Sequence, residues 1–307
     1  RSVSRGLGDV YKRQAEIFVL TDDFMQEFSP YFQQKLIGAK PWQGKMSKSE
    51  MMTIVIFFHL SGIRCFSWYY KHIVKGHLSS YFPDTYAYER FVAQMKHVQL
   101  ELYAFLHYFC IGRPTEANYI DSKPLEVCHI KREKMHRVFL HIAQKGKTSK
   151  GFFYGLKLHL LCNQQGEILR IQVTSGNVAD NNVKLLKSML SGFKGNVYGD
   201  KGYISKLKKS LQAQGCKLIT KIRKNMKKPL LTQKEQYYLK KRGLIETVFG
   251  QMVSQCQIEH SRHRSPINCM VNLWAGIIAY NFLDRLPRIA DFDMKDLKEA
   301  KVVLLKD

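Results

Sequence analysis

Asn196-Val-Tyr-Gly-Asp-Lys-Gly-Tyr203 is the stretch on which the reading of this chain turns. Val197 and Tyr198 are β-prone, Gly199 ends the run, and Asp200 follows between two glycines before a basic amphipathic segment. That is how a strand ends and presents a carboxylate at a sheet edge, where loops build active sites. The surroundings of Asp200 sharpen the question. From Lys201 to Ile245 there are 14 Lys or Arg residues and a single acid, Glu235. A carboxylate in such a neighbourhood is either neutralised by salt bridges or holds a cation.

With 307 residues, 45% of them hydrophobic, the chain can bury a large core and is expected to divide into two domains. A formal charge of +24 and a pI near 9.7 point to a polyanionic partner, nucleic acid first and a membrane surface second. The best apolar run, Met51 to Leu60, contains His59 and falls short of the roughly 18–20 residues that span a bilayer. Neither a membrane span nor a secretory signal is expected. Seven cysteines, odd in number and never spaced C-x-x-C, fit reduced thiols in a cytoplasm better than a disulfide framework or a zinc site.

Residues 1–14 read as a non-native or disordered basic tail, since Asp9-Val-Tyr-Lys-Arg-Gln14 is what one frame of a sequencing adapter would encode. Residues 15–111 read as helical and aromatic-rich. Ser47-Lys-Ser-Glu50 is a capping box opening a helix to Leu60, and further helices are expected over Phe66–Val74, Tyr86–Met95 and Gln99–Phe109. Such short helices suit a helix-turn-helix bundle, with Tyr88, Arg90 and Lys96 toward DNA, or a helical cap that reads nothing.

Gly112-Arg-Pro114 breaks this pattern, and residues 112–288 read as one α/β domain. Strands are expected at Asn118–Asp121, Phe152–Cys162, Ile168–Val173, before Asp200 and at Lys217–Ile222, with a hairpin turn at Asn163–Gly166. An amphipathic helix is expected from Asp180 to Leu190, capped by Asp180 or Asn181, and a basic one from Ser205 to Ala213. After a loop, one long helix should start at Glu235 or Gln236 and run past Gln255, carrying Arg242 and Glu246. Gly243 inside it would cost about 1 kcal/mol against Ala, which implies a close approach there. An apolar helix, Cys269–Phe282, docks on the core, and residues 289–307 form a charged tail. The order of elements gives a mixed sheet with helices.

Asp121 and Asp200 at strand ends and Glu246 on a late helix stand out. Attack on a phosphodiester needs an activated nucleophile and a stabilised leaving oxygen, and two Mg²⁺ ions held by a few carboxylates supply both. Spacing alone leaves open that these are three ordinary acids among 25.

The strings Tyr119-Ile-Asp121-Ser122, Gly151-Phe-Phe-Tyr-Gly-Leu-Lys157-Leu-His159, Thr174-Ser-Gly-Asn177-Val-Ala-Asp180, Tyr198-Gly-Asp200-Lys-Gly-Tyr203 and Arg242-Gly-Leu-Ile-Glu246-Thr-Val-Phe249 resemble successive blocks of the DDE transposases of bacterial insertion sequences, most of all the insertion-sequence 982 group. The resemblance spans residues 110 to 282. It implies an RNase H-like mixed-sheet catalytic core preceded by an all-helical N-terminal domain, with Asp121 on the first strand, Asp200 after the fourth and Glu246 on the following helix as catalytic metal ligands. It implies two Mg²⁺ or Mn²⁺ ions, cleavage of element ends, and joining of the 3′-hydroxyl to target DNA. The partners implied are double-stranded DNA, as terminal inverted repeats and target, and a second copy when ends are paired, at a bacterial nucleoid. A nuclease that cuts without joining, or an inactive DNA-binding derivative, are the alternatives.

Related families often place Tyr, Arg, Glu and Lys around the last acid. Here Arg242 keeps its place four before Glu246, but Val253 stands where the lysine is expected and Leu239 where the tyrosine is, with Tyr237 and Tyr238 displaced. Lys240, Lys241, Gln251 or Arg262 could replace the lysine. Lys157 and His159 alternate with leucines, either as a solvated strand face or as DNA contacts. Asp180 reads as a helix cap rather than a fourth ligand. Lys201, Lys206, Lys208, Lys209, Lys221, Arg223, Lys224, Lys227 and Lys228 read as a phosphate-tracking surface, with Arg242, Lys240 and Lys241 completing the DNA contacts.

Overall fold

The computed structural model describes residues 2–35, 42–149, 151–222, 225–226, 230–259 and 263–293. Chain contacts divide it into two units. One comprises residues up to Cys110, Lys134–Phe139 and Gln251–Asp284; the other comprises Ile111–Glu133, Leu140–Gly250 and the residues from Arg285.

The second unit is assembled on the apolar run Gly151–Asn163. From Phe153 onward every residue of this strand, β3, is buried, because neighbours cover both faces. With β1 (Asn118–Cys128), β2 (Gln144–Thr148), β4 (Ile168–Ser175), β5 (Gly195–Gly199) and β6 (Cys216–Thr220) it forms a six-stranded mixed sheet in the order β2-β3-β1-β5-β6. β1 lies antiparallel along one side of β3; on the other, β2 pairs with Gly151–Gly155 and β4 with Leu156–Cys162. β5 and β6 run parallel to β1 and to each other. Gly155 is required where it stands, since a Cβ there would collide with the carbonyl of Leu125 on β1. Side chains alternate across the sheet. Ile120, Leu161, Val197 and Leu218 enter one core with Leu185, Leu186, Met189 and Leu190 of α6 (Val183–Leu190) and with Leu211 of α7 (Lys208–Ala213). On the other face Tyr119, Tyr198 and Tyr238 of α8 (Gln233–Lys240) are in successive ring contact at 5.7 and 5.9 Å.

In the first unit, α1 (Ser2–Lys35) and α10 (Pro266–Asn281) pack on α2 (Lys48–Leu60), and α5 (Gln99–Phe109) packs on α10 and α1. The capping box of Ser47 and Glu50 is formed, and α2 is buried nearly all round. Between α2 and α5 lie α3 (Phe66–Trp68), continued to His77 by a wider-turned helix, and α4 (Tyr88–Gln94).

Several expectations are corrected. β1 does not stop at Asp121 but runs to Cys128, through Pro124. Beyond Ile120 only β3 flanks it, and a strand with one side unpaired tolerates a proline. Asp200 follows the fifth strand rather than the fourth, because the polar Gln144–Thr148 pairs as β2. The long helix expected from Glu235 is two: Thr232 caps α8 through a box with Glu235, the chain turns at Lys241 and Arg242, and α9 (Gly243–Ser254) begins. Gly243 is the first residue of α9 and a Cβ there would meet open space, so no close approach explains it. Residues 2–14, set apart as a tail, are helical and open α1, with Arg13 paired to Asp284. The helix Pro266–Asn281 belongs to the first unit, not to the sheet. Ile289 N–H donates to the carbonyl of Gln164, and Phe292 N–H to the Tyr238 hydroxyl, so the tail is tied down at least to residue 292. Tyr238 is buried and donates to Glu116, away from the acids.

Candidate active site

Parallel register sets the first two acids at one level of the sheet. Asn118, Tyr119 and Ile120 of β1 pair with Val197, Tyr198 and Gly199 of β5. Asp121 and Asp200 are each the next residue, so both leave the paired stretch at the same level. By strand alternation Asp121 shares the face of Tyr119, the side on which α8 lies. Asp200 turns out of β5 in extended conformation and starts the turn Lys201–Tyr203. Among the described residues its carboxylate makes no hydrogen bond or ion pair.

Arg242, at the turn between α8 and α9, connects Asp121 to the third acid, Glu246. Its Nη1 donates to Asp121 Oδ2 at 3.1 Å and its Nη2 to Glu246 Oε1 at 2.9 Å. Four residues from Arg242, Glu246 lies one helical turn on. The three differ in exposure: the side chains of Arg242 and Asp121 are 12% and 22% accessible, that of Glu246 61%. Asp121 also accepts the N–H of Ser122 at 2.8 Å. Burial pushes the Asp121 carboxyl up to about 6, against the pull of the Ser122 N–H and the Arg242 guanidinium, and the charges of Asp180 and Glu246 add to the rise. Among the described residues no three His, Cys, Asp or Glu side chains stand close enough to share one metal ion. Asp121 and Glu246 share a guanidinium instead.

Asp180 has a different place from the helix cap expected of it. Asn182 caps α6, accepting from the N–H groups of Lys184 and Leu185 at 3.0 and 3.2 Å. Asp180 Oδ1 accepts from the Ser122 hydroxyl at 2.7 Å and from Lys157 Nζ at 3.3 Å. Lys157 and His159, expected on a solvated strand face or as DNA contacts, are buried. Lys157 Nζ also donates to the carbonyl of Val178 at 2.8 Å. His159 Nε2 lies 2.9 Å from Thr174 Oγ1, whose own proton goes to the carbonyl of Ser175. Nε2 therefore carries the imidazole proton, leaving Nδ1 without a partner 4.0 Å from Asp180. Burial pushes the His159 pKa down to about 4, the charge of Asp180 only partly offsetting it.

A family model described as the transposase DDE domain matches residues 111–266, more than half of the 307-residue chain. The chain belongs to this family. No curated protein and no solved structure matches it. The matched segment opens just before β1 and includes the positions of Asp121, Asp200 and Glu246, together with all six strands of the curled mixed sheet.

The DDE domain also carries exposed cations, among them Lys201, Lys206, Lys208, Lys209, Lys221, Lys240 and Lys241. The Lys241 ammonium stands 5.6 Å from the centre of the Tyr237 ring. Arg223, Lys224, Lys227, Lys228 and Arg262 lie outside the described residues. Lys217 and Lys234 are engaged in ion pairs with Glu235 and Glu116. In the first unit Arg90 and Lys96 are exposed and Tyr88 is half-buried. All seven cysteines are free, and no described helix is long and apolar enough to cross a membrane. Ser122 is the site residue that sequence reasoning passed over. It stands beside Asp121 in the quoted block, but nothing local shows that its hydroxyl meets a carboxylate 58 positions later.

Proposed function

We propose that this DDE-family chain is a DNA transposase that cleaves the ends of a mobile element and joins the freed 3′-hydroxyl to target DNA. The observation that carries the reading is the register of β1 and β5, which sets Asp121 and Asp200 at one sheet end, with Glu246 linked to Asp121 through Arg242. The donor chemistry fits a hard divalent cation: three carboxylates, two of which already gather around one positive group. Asp121, Asp200 and Glu246 are the residues that would hold Mg²⁺ or Mn²⁺, two ions in the full site. Such ions, when bound, activate the attacking hydroxyl and stabilise the leaving oxygen. The exposed lysines hold DNA phosphates beside the acids, and affinity falls steeply with salt. An RNase H-like core of the insertion-sequence 982 type, a helical N-terminal DNA-binding region and synapsis of two copies at the nucleoid belong to the same reading.

Asp200→Asn is the test. It should abolish strand cleavage of DNA carrying the element's ends while leaving end binding in a gel-shift assay largely intact; retained cleavage refutes the reading. Pre-cleaved ends incubated with target DNA separate a transposase, which yields joined product, from a nuclease, which yields none.

A further inference from the structure

We infer that Asp180 is a positioning residue that holds the Asp121-bearing segment of β1 in place through the hydroxyl of Ser122. The inference rests on the proposed role of Asp121 as a metal ligand and concerns a residue to which that role assigns nothing.

The need for such a clamp follows from the sheet. Up to Ile120, β1 is held on both sides, by β3 and by β5; from Asp121 onward only β3 remains. The catalytic carboxylate thus stands at the first position where the strand has lost a neighbour. Ser122, the next residue, points by alternation to the face opposite Asp121. There its hydroxyl is anchored 2.7 Å from Asp180 Oδ1, while its backbone N–H, 2.8 Å from Asp121 Oδ1, orients the carboxylate. One residue thereby couples a side-chain anchor on one face to the aim of the acid on the other.

Asp180 is itself fixed. It is released from capping duty by Asn182, and its loop is folded by turns from Val178 N–H to the Ser175 carbonyl and from Asn182 N–H to the Ala179 carbonyl. Lys157, on β3, holds both Asp180 and the carbonyl of Val178. A lysine this buried is tolerated because it is paired, and the pair ties the β4–α6 loop to the sheet. The same carboxylate abuts the turn after Asp200: a Cβ on Gly202 would lie 3.5 Å from Asp180 Oδ2. Asp180 therefore bonds the Asp121-bearing segment and lies beside the turn that follows Asp200. Metal-ligating carboxylates need placement within about 0.5 Å, and the partners that orient them matter for affinity.

The bland alternative is that Asp180 only neutralises Lys157. Four full-length variants separate the two: Ser122→Ala, Asp180→Asn, Lys157→Met and the double Lys157→Met/Asp180→Asn. Mn²⁺ binding is measured by calorimetry without DNA, and cleavage turnover and DNA-end affinity are measured separately. Ser122→Ala leaves every charge in place, and the double variant removes the buried pair cleanly, so both stay informative even if either charge variant alone misfolds. The clamp requires that both lose about tenfold in Mn²⁺ affinity and in turnover, with DNA-end affinity unchanged. Ser122→Ala binding Mn²⁺ and cleaving like the wild type overturns it, and so does full recovery in the double variant. Wild-type protein that takes up no Mn²⁺ overturns the metal reading itself and the clamp with it.

Discussion

Asp121 and Asp200 leave neighbouring parallel strands at the same level, yet they are held in opposite ways. Asp121 is mostly buried, accepts a backbone N–H and a guanidinium, and sits next to a serine anchored from the far face. Asp200 is half-exposed at a turn, with no hydrogen bond or ion pair among the described residues and exposed Lys201 beside it. The density of lysines around Asp200 in sequence left open a salt-bridged carboxylate or one that holds a cation; the arginine pair goes to Asp121 instead. One side of the site is organised before any substrate arrives, and the other presents an unengaged carboxylate in a basic surround. A group already bonded inside the protein adds to stability, whereas one waiting for a ligand adds little to the free protein.

This contrast can be broken in three places. Arg242→Ala should have the largest effect on stability, about 1.5–3 kcal/mol measured from urea midpoints, because a mostly buried Asp121 loses a charged donor. Arg242→Lys should recover only part of it, since one ammonium does not reproduce a fork reaching two carboxylates. The arm to the exposed Glu246 carries only a few tenths of a kcal/mol. An unchanged midpoint in Arg242→Ala removes the claim that this side is preorganised.

The second place is pH. His159 is held near 4, below its ordinary value, so between about 6.5 and 4 the unfolded chain binds a proton that the folded one refuses. Its contribution is present above this window and is lost as pH falls through it, on the order of 3 kcal/mol by the acid end. Asp121, raised to about 6, acts in the opposite sense, gaining a proton in the folded state first and favouring folding as pH falls. The two partly cancel, so the measurement is the difference between wild type and His159→Gln: the variant should lose less stability on acidification from pH 7 to 4. Parallel pH curves contradict the buried, singly protonated imidazole. The smallest effect belongs to Asp200→Asn, which should shift stability by no more than about 0.5 kcal/mol while removing cleavage. A large destabilisation would mean that Asp200 is not the open side.

What was legible in the sequence was local. The capping box at Ser47 and Glu50, the turn at Asn163–Gly166, the apolar run of β3 and the glycine-flanked Asp200 each follow from signals within a few residues. The box of Thr232 and Glu235 was equally present and was read past, which moved the start of α8. β2 is another matter: Gln-Lys-Gly-Lys-Thr has no apolar alternation, and it is a strand because β3 offers it an edge. β1 runs on past Asp121 through Pro124, which a strand paired on one side tolerates, and pairing is not visible in a single stretch. Lys157 among leucines read as a solvated strand face or a DNA contact, because its counter-ion lies 23 residues away.

By itself the sequence determined the strongly basic character, the α/β alternation of the second unit, the family, and the three acids as candidates, since these depend on composition, periodicity and the order of short blocks. Only the tertiary structure decided that Asp121 and Asp200 leave paired parallel strands at one level, that Arg242 joins Asp121 to Glu246, and that Asp180 leaves the helix start to hold Ser122. Hydrogen bonds and ion pairs between residues tens of positions apart depend on where strands pair and loops return. A short sequence window carries no record of either.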